Sequence, residues 1–162
     1  SDDIVRASSS RAPEAGPAAS ALALIAHMPG LSIRMLSICV GLSHAATVRL
    51  VDRLAAEGLV ERREHFTDGR TRSLYLTAAG KIASDEVLSS RDEVIAEGLS
   101  ILSPDELKVL GAIAERVLRN RLENLEHSYR ICRLCCYEGC TNCPIDAELH
   151  ERGVDRENSG EA

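Results

Sequence analysis

The sequence predicts a mainly helical fold with one small β-hairpin. Helical spacing of apolar residues recurs along most of the 162 residues and gives way to alternation only between Leu59 and Thr77. With 44% hydrophobic residues, one Phe and no Trp, the chain can bury a core, which must be mostly aliphatic. No apolar run reaches the roughly 18 residues of a membrane span, and no secretory signal precedes the first helix. We therefore expect a cytoplasmic protein without a membrane partner.

The N-terminal part divides into an arm and a helix. Residues 1–16 are rich in Ser, Ala and Pro, which predicts a flexible arm. The run from Pro17 to His27 is a strong helix former, and Pro29 and Gly30 end it.

The next two helices are short and close together. Ser32 is placed to cap a helix that stops at Gly41, and Ser43 is placed to cap another that stops at Gly58. Two short helices joined by a turn containing glycine are typical of a helix-turn-helix.

Two alternating segments, LVERRE and TRSLYLT, follow directly and predict a β-hairpin. The Asp68-Gly69 pair between them is a turn signal. A hairpin placed immediately after a helix-turn-helix indicates a winged helix-turn-helix.

Two long amphipathic helices are predicted next. One runs from about Ala78 to Leu102, and Ser103, Pro104 and Glu106 form a capping box that opens another, extending to about Leu125. Their apolar stripes can pack on each other or on a partner subunit. The stripes are Val87, Leu88, Val94, Ile95, Leu99 and Leu102, then Leu107, Leu110, Ala114, Val117, Leu118 and Leu125. We divide the chain into an arm (1–16), a winged helix region (17–77), dimerisation helices (78–128) and a Cys-rich tail (129–162).

Charge distribution favours a nucleic-acid partner for the winged helix. The net charge is −6, but residues 31–77 carry seven Arg against five acidic residues. In the second short helix, Thr47, Leu50, Val51 and Leu54 share one face and should lie in the core, which leaves the opposite face to read DNA. The candidate DNA-binding residues are Ser43, His44, Ala45, Val48 and Arg49 on this helix and Asp68, Arg70 and Arg72 at the hairpin.

The stretch from LSIRMLSICVGL to LTAAGK resembles the MarR family of bacterial transcriptional regulators, most specifically in LVDRL, GLVER and Asp68-x-Arg70. The resemblance covers roughly residues 15–127 and implies a homodimer on a pseudo-palindromic operator in double-stranded DNA. Such regulators are usually repressors released by a small molecule or an oxidant. It also implies that Arg70 is the wing arginine, that Asp68 orients the wing arginines, and that Ser43 to Arg49 start the recognition helix.

The chain departs from the family pattern in two places. The recognition helix lacks a basic or hydroxyl-rich start, so no operator sequence carries over. The fold is expected to dimerise through its N- and C-terminal helices. Because the Pro-rich arm does not supply the long first helix of the family, we expect dimerisation to depend more on the C-terminal helices.

A cysteine cluster lies beyond the family-like region. Cys132 with Cys135, and Cys140 with Cys143, form two CxxC pairs, which indicate a metal site. Zinc sites usually separate such pairs by roughly 15 to 20 residues, so the four-residue spacing here favours an iron-sulfur cluster, [4Fe-4S], with zinc as the alternative. Cys136 is an alternative ligand or a spare thiol.

Two other residues carry weaker signals. Cys39 is expected to be a small buried hydrophobe. His127 is expected to be a solvated helix-end residue rather than a cluster ligand.

These observations predict a regulator whose operator binding is controlled by the iron-sulfur cluster, as a redox or iron sensor. A cluster just after the dimerising helix would fix the angle between subunits and hence the separation of the recognition helices. One alternative is a small-molecule-released repressor with structural zinc, and another is an electron-transfer subunit bearing the cluster. We expect no enzyme, because no Ser-His-Asp order, GxGxxG or Walker loop occurs.

Overall fold

The computed structural model describes residues 16–64, 72–135 and 142–154, so almost all of the predicted N-terminal arm lies outside it. The described part is mainly helical with a small antiparallel sheet, which confirms the predicted fold class. In chain order the elements are α1 (Pro17–His27), β1 (Leu31–Ser32), α2 (Ile33–Val40), α3 (His44–Ala56), β2 (Val60–Glu64), β3 (Arg72–Leu76), α4 (Ala78–Leu99), α5 (Pro104–Arg121), α6 (Leu125–Ile131) and α7 (Pro144–Glu151).

The sheet has three strands in the order β1-β3-β2. The predicted hairpin pairs Val60 with Leu76 at its base and Glu64 with Arg72 at its far end. Strand β1, which was not predicted, pairs Leu31 with Leu74. Two residues are too few to produce an alternating pattern, yet this pairing ties the start of α2 to the hairpin.

Both caps of the helix-turn-helix are confirmed. The Ser32 hydroxyl accepts a hydrogen bond from the Met35 amide at 3.1 Å, and α2 ends at Gly41, which adopts a left-handed φ of 71°. The Ser43 hydroxyl accepts from the Ala46 amide at 3.3 Å and begins α3.

Helix α1 lies in the centre of the domain. Every residue from Ala18 to Ile25 is buried, and α1 packs against α4. The face of α4 that is buried consists of Gly80, Ser84, Val87 and Ser90, small residues that fit beside the Ala-rich α1. The predicted stripe of α4 beyond Val87 is only partly buried, and the helix ends at Leu99 rather than Leu102.

The junction between the hairpin and α4 is tight. The Thr77 hydroxyl donates to the Gly58 carbonyl at 2.6 Å and accepts from the Gly80 amide at 3.0 Å. A Cβ atom on Gly80 would lie 1.9 Å from the Leu59 carbonyl oxygen. Only glycine permits this approach, which fixes the base of the hairpin against the first turn of α4.

Helix α5 begins with the predicted capping box, in which the Ser103 amide donates to a Glu106 carboxylate oxygen at 2.8 Å. It ends at Arg121, four residues before the predicted end, because Asn124 starts α6 by accepting from the His127 amide at 2.9 Å. No residue of α5 is buried in the described structure.

No single described helix is long and apolar enough to span a membrane. The bent pair of α2 and α3 together would be long and apolar enough, by length and composition alone.

Candidate functional site

Helix α3 separates a buried face from an exposed one, as predicted. Thr47 and Val51 are fully buried, and Leu50 and Leu54 are nearly so. His44, Ala45 and Arg49 are exposed, and Val48 is half-buried. An exposed helix start of this kind can enter a major groove, where Arg can bind guanine or phosphate and small apolar groups can contact a thymine methyl.

The hairpin is described at its base and not at its tip. Asp68 and Arg70 lie outside the described residues. For Arg72 only the backbone is described, and it pairs with Glu64 where the hairpin leaves the sheet.

Two arginines on strand β2 make contacts that the sequence did not predict. An Arg62 guanidinium nitrogen donates to a carboxylate oxygen of Asp52 at 2.6 Å, which ties β2 to α3. The Arg63 guanidinium lies 4.5 Å from the centre of the Tyr75 ring and pairs with Glu61. The Asp52 side chain is 54% exposed, so this pair links β2 to α3 but contributes little to stability.

Comparisons with known proteins identify this arrangement. A family model described as "MarR family" matches residues 15–71. The HTH-type transcriptional regulator BilQ of Clostridium symbiosum is 30% identical over 101 residues, which span 62% of this chain and 70% of BilQ. The chain belongs to the MarR family.

Two further relatives agree. The transcriptional repressor MprA of Escherichia coli is 34% identical over 91 residues, which span 56% of this chain and 51% of MprA. A MarR family protein from Bacillus stearothermophilus has a solved structure that matches with a TM-score of 0.64 and 25% identity, covering 71% of this chain and 80% of that one. This chain is therefore a transcriptional regulator rather than an enzyme, of a family that binds double-stranded DNA and typically forms dimers.

The cysteine segment starts where α6 ends. Cys132 follows α6 directly and is 6% exposed, and its carbonyl accepts from the Cys135 amide at 2.9 Å. Cys143 directly precedes Pro144 and occupies the N-cap position of α7, with no hydrogen bond from its side chain to the helix. All three belong to one apolar cluster with Leu122, Ile145 and Leu149.

Three of the four predicted ligands therefore border the same apolar cluster, which is a packing contact and not a set of metal ligands, and Cys136 and Cys140 lie outside the described residues. Within the described ranges, no three Cys, His, Asp or Glu side chains are arranged to hold a metal ion. A complete four-thiolate site would need Cys140 as well.

The segment is held on one side by the winged helix. His27, the last residue of α1, places its Nε2 atom 2.5 Å from the Cys135 carbonyl oxygen. The Arg130 Nε atom donates to the Ile38 carbonyl at 3.1 Å. Tyr129 is 8% exposed and belongs to the main core.

On the other side, α7 is held by α5. The Arg119 Nε atom donates to Glu148 at 2.8 Å, and Arg119 also pairs with Glu151. Arg152 donates to Glu148 at 2.8 Å and to the Leu122 carbonyl at 2.9 Å. Hydrogen bonds from Arg119 and then Arg152 lower the pKa of Glu148, so its carboxylate stays ionised.

The structure describes both residues with weaker sequence signals, Cys39 and His127. Cys39 is fully buried, and burial raises its pKa from 9.0 to about 11, which confirms a buried, un-ionised thiol. His127 lies in the first turn of α6 with its side chain 20% exposed, and its Nδ1 atom accepts from the Glu123 amide at 3.3 Å. His127 thus lies at the helix end, as expected, but it is half-buried rather than fully solvated, and Asn124 is the N-cap.

Proposed function

We propose that this regulator binds a pseudo-palindromic operator as a homodimer. In each subunit Ser43, His44, Ala45, Val48 and Arg49 contact the major groove, while Asp68, Arg70 and Arg72 act at the hairpin. The exposed start of α3 supports the first set. The position of the hairpin directly after α3 supports the second, since β2 and β3 pair in one register and the Asp52–Arg62 pair links β2 to α3.

The partner subunit is proposed to cover α5. This helix exposes a set of large apolar side chains, each between 36% and 59% exposed, that a monomer would leave in water. Burying them in a second copy removes that cost, and an interface of about 800 Å² per subunit is typical of stable association. The residues are Leu107, Val109, Leu110, Ile113, Val117 and Leu118.

We further propose that Cys132, Cys135, Cys140 and Cys143 hold an iron-sulfur cluster, [4Fe-4S], that controls operator binding. Four thiolates are a complete donor set for such a cluster. The turn that links Cys132 to Cys135 and the common apolar cluster of Cys132, Cys135 and Cys143 support this assignment. When bound, the cluster supplies sensitivity to oxidants, nitric oxide or iron supply. Cys136 is not needed as a fifth ligand.

Zinc in the same four thiolates, in a repressor released by a small molecule, is the second candidate. The observation that favours it is the packing of Cys132 with Leu122, Ile145 and Leu149, which makes the segment a small core that a structural metal would complete. The electron-transfer alternative loses support because the chain belongs to a family of transcriptional regulators.

Metal analysis of protein purified without oxygen tests the choice of metal. We expect iron and sulfide with brown absorbance, and Ser at any of the four ligand positions should remove them. Cys136→Ser is the matched control and should keep the colour. One equivalent of zinc in colourless protein would instead support the second candidate.

A further inference from the structure

Helix α5 depends on α7 for its packing within the subunit. No residue of α5 is buried in the described structure, and among the described elements α5 packs chiefly on α7 rather than on the winged helix. Helices in proteins owe most of their stability to the surface they pack against, more than to helix propensity. The contact with α7 is therefore the main support that the described part of the subunit gives to α5.

A buried apolar contact fixes the C-terminal end of α5 on α7. Leu122, which directly follows α5, is 3% exposed and shares an apolar cluster with Ile145 and Leu149 of α7, each 2% exposed. Burial of aliphatic side chains is the main source of favourable free energy in a contact of this kind. The contact joins parts of the chain that are remote in sequence, so it depends on the docking of α7.

Two arginines join α5 and α7 around Glu148. The Nε atom of Arg119 donates to one Glu148 carboxylate oxygen and the Nε atom of Arg152 donates to the other, each at 2.8 Å. The Arg119 and Glu148 side chains are 26% and 18% exposed, so water screens this pair less than a pair on the open surface. Arg152 also donates to the Leu122 carbonyl at 2.9 Å, at the end of α5, where helix carbonyls lack partners within the helix.

The exposed apolar residues of α5 lie on the side of the helix that α7 leaves open. Successive helix residues advance by about 100°, so Leu110 and Val117 lie roughly 160 to 180° around the helix from Arg119. Leu110 is 40% exposed and Val117 is 55% exposed, whereas Arg119 contacts α7. Helix α5 therefore has α7 on one side and an uncovered apolar surface on the other.

We propose that α7 supports the dimer surface: by packing on the opposite side of α5, it holds Leu110, Ile113 and Val117 in position to contact the partner subunit. Glu148 and Leu149 act as positioning residues. This inference rests on the coverage of α5 by a second copy proposed above. It follows that loss of the α7 contacts weakens the dimer, although these residues lie on the side of α5 away from the apolar surface.

The test compares Leu149→Ala and Glu148→Gln with Glu115→Gln. Glu115 also pairs with Arg119, at 3.9 Å, but it lies on α5 itself, so its substitution leaves the contacts with α7 in place. The dimer dissociation constant is measured by sedimentation over a dilution series. We expect this constant to rise about fivefold or more in Leu149→Ala and Glu148→Gln, and by less than about twofold in Glu115→Gln.

Hydrogen exchange reports the order of α5 separately from assembly. At a protein concentration where every variant is dimeric, the amides of residues 115–121 should exchange faster in Leu149→Ala and Glu148→Gln than in the wild type. The amides of α3 should keep their protection, which shows that the winged helix is intact. If Leu149→Ala also loses the protection of α3, the milder Glu148→Gln decides the test.

The outcomes separate this inference from the proposed dimer. A normal dimer in Leu118→Arg would overturn α5 as the interface and this inference with it. If Leu118→Arg dissociates the dimer but Glu148→Gln leaves the dissociation constant unchanged, support by α7 is overturned and the dimer proposal stands. An equal rise in Glu115→Gln would also overturn support by α7, because that variant keeps the α7 contacts.

Discussion

Substituting Gly80 with Ala should destabilise the protein strongly. The new Cβ would lie 1.9 Å from the Leu59 carbonyl oxygen and 2.8 Å from its carbon, so the backbone must move by about an ångström to reach contact distance. Overpacking of this kind costs typically 1–3 kcal/mol. The same carbonyl accepts from the Thr77 amide at 3.0 Å, and weakening that bond adds about 1 kcal/mol.

The higher helix propensity of Ala returns about 1 kcal/mol, so the net loss in free energy of unfolding should be roughly 1–3 kcal/mol. Gly98→Ala is the matched control, because it lies in the same helix with no atom within 4 Å of the added Cβ. It should stabilise by up to about 1 kcal/mol. Urea denaturation at one fixed protein concentration measures both. Equal stability of the two variants would show that the approach of α4 to Leu59 is not as close as described.

Three other predictions concern the dimer, the hairpin and the buried thiol. Leu118→Arg should place an unpaired charge in the proposed interface and weaken the dimer by about 3 kcal/mol, roughly 100-fold; a normal-sized dimer in light scattering would place Leu118 elsewhere. The wild type should lose DNA affinity steeply with salt, with a log-log slope on the order of −5 if Arg49, Arg70 and Arg72 of both subunits contact phosphates. Arg70→Ala should cost about 1 to 3 kcal/mol of binding and flatten that slope; an unchanged slope would remove the hairpin from the interface. Burial raises the pKa of Cys39 from 9.0 to about 11. The stability that the buried neutral thiol provides should therefore be complete below pH 9 and decrease between pH 9 and 11. In denaturation measured across this pH range, Cys39→Ala should not show that decrease.

Local rules predicted the elements of the fold well. Ser32, Ser43 and Ser103 each cap a helix where the sequence placed them, because capping depends on residues only three positions apart. The buried face of α3 followed in the same way from helical spacing.

Contacts between distant residues were not predictable in this way. Strand β1 exists because Leu31 meets Leu74, and the buried face of α4 is small because α1 approaches it. Neither contact can be predicted from the residues next to it in the sequence.

In the candidate site too, local spacing was informative and long-range contacts were not predictable. The spacing of the cysteines indicated a metal, but nothing in it indicated that His27 and Arg130 would hold the segment on the winged helix, since their partners are remote in sequence. The Asp52–Arg62 pair, ten residues apart and on different elements, was missed for the same reason.

One set of DNA-binding measurements tests most directly whether the metal controls operator affinity. Protein purified without oxygen is bound to a DNA duplex that wild-type protein selected from a random-sequence library. Binding is measured before and after the metal is removed by oxidant and chelator, for the wild type, Cys132→Ser and Cys136→Ser. We predict that wild type and Cys136→Ser change affinity by about tenfold or more, and that Cys132→Ser stays at the metal-free value throughout. An affinity that metal removal leaves unchanged in the wild type and in Cys136→Ser, and that Cys132→Ser shares, with iron present at the start, would contradict the account.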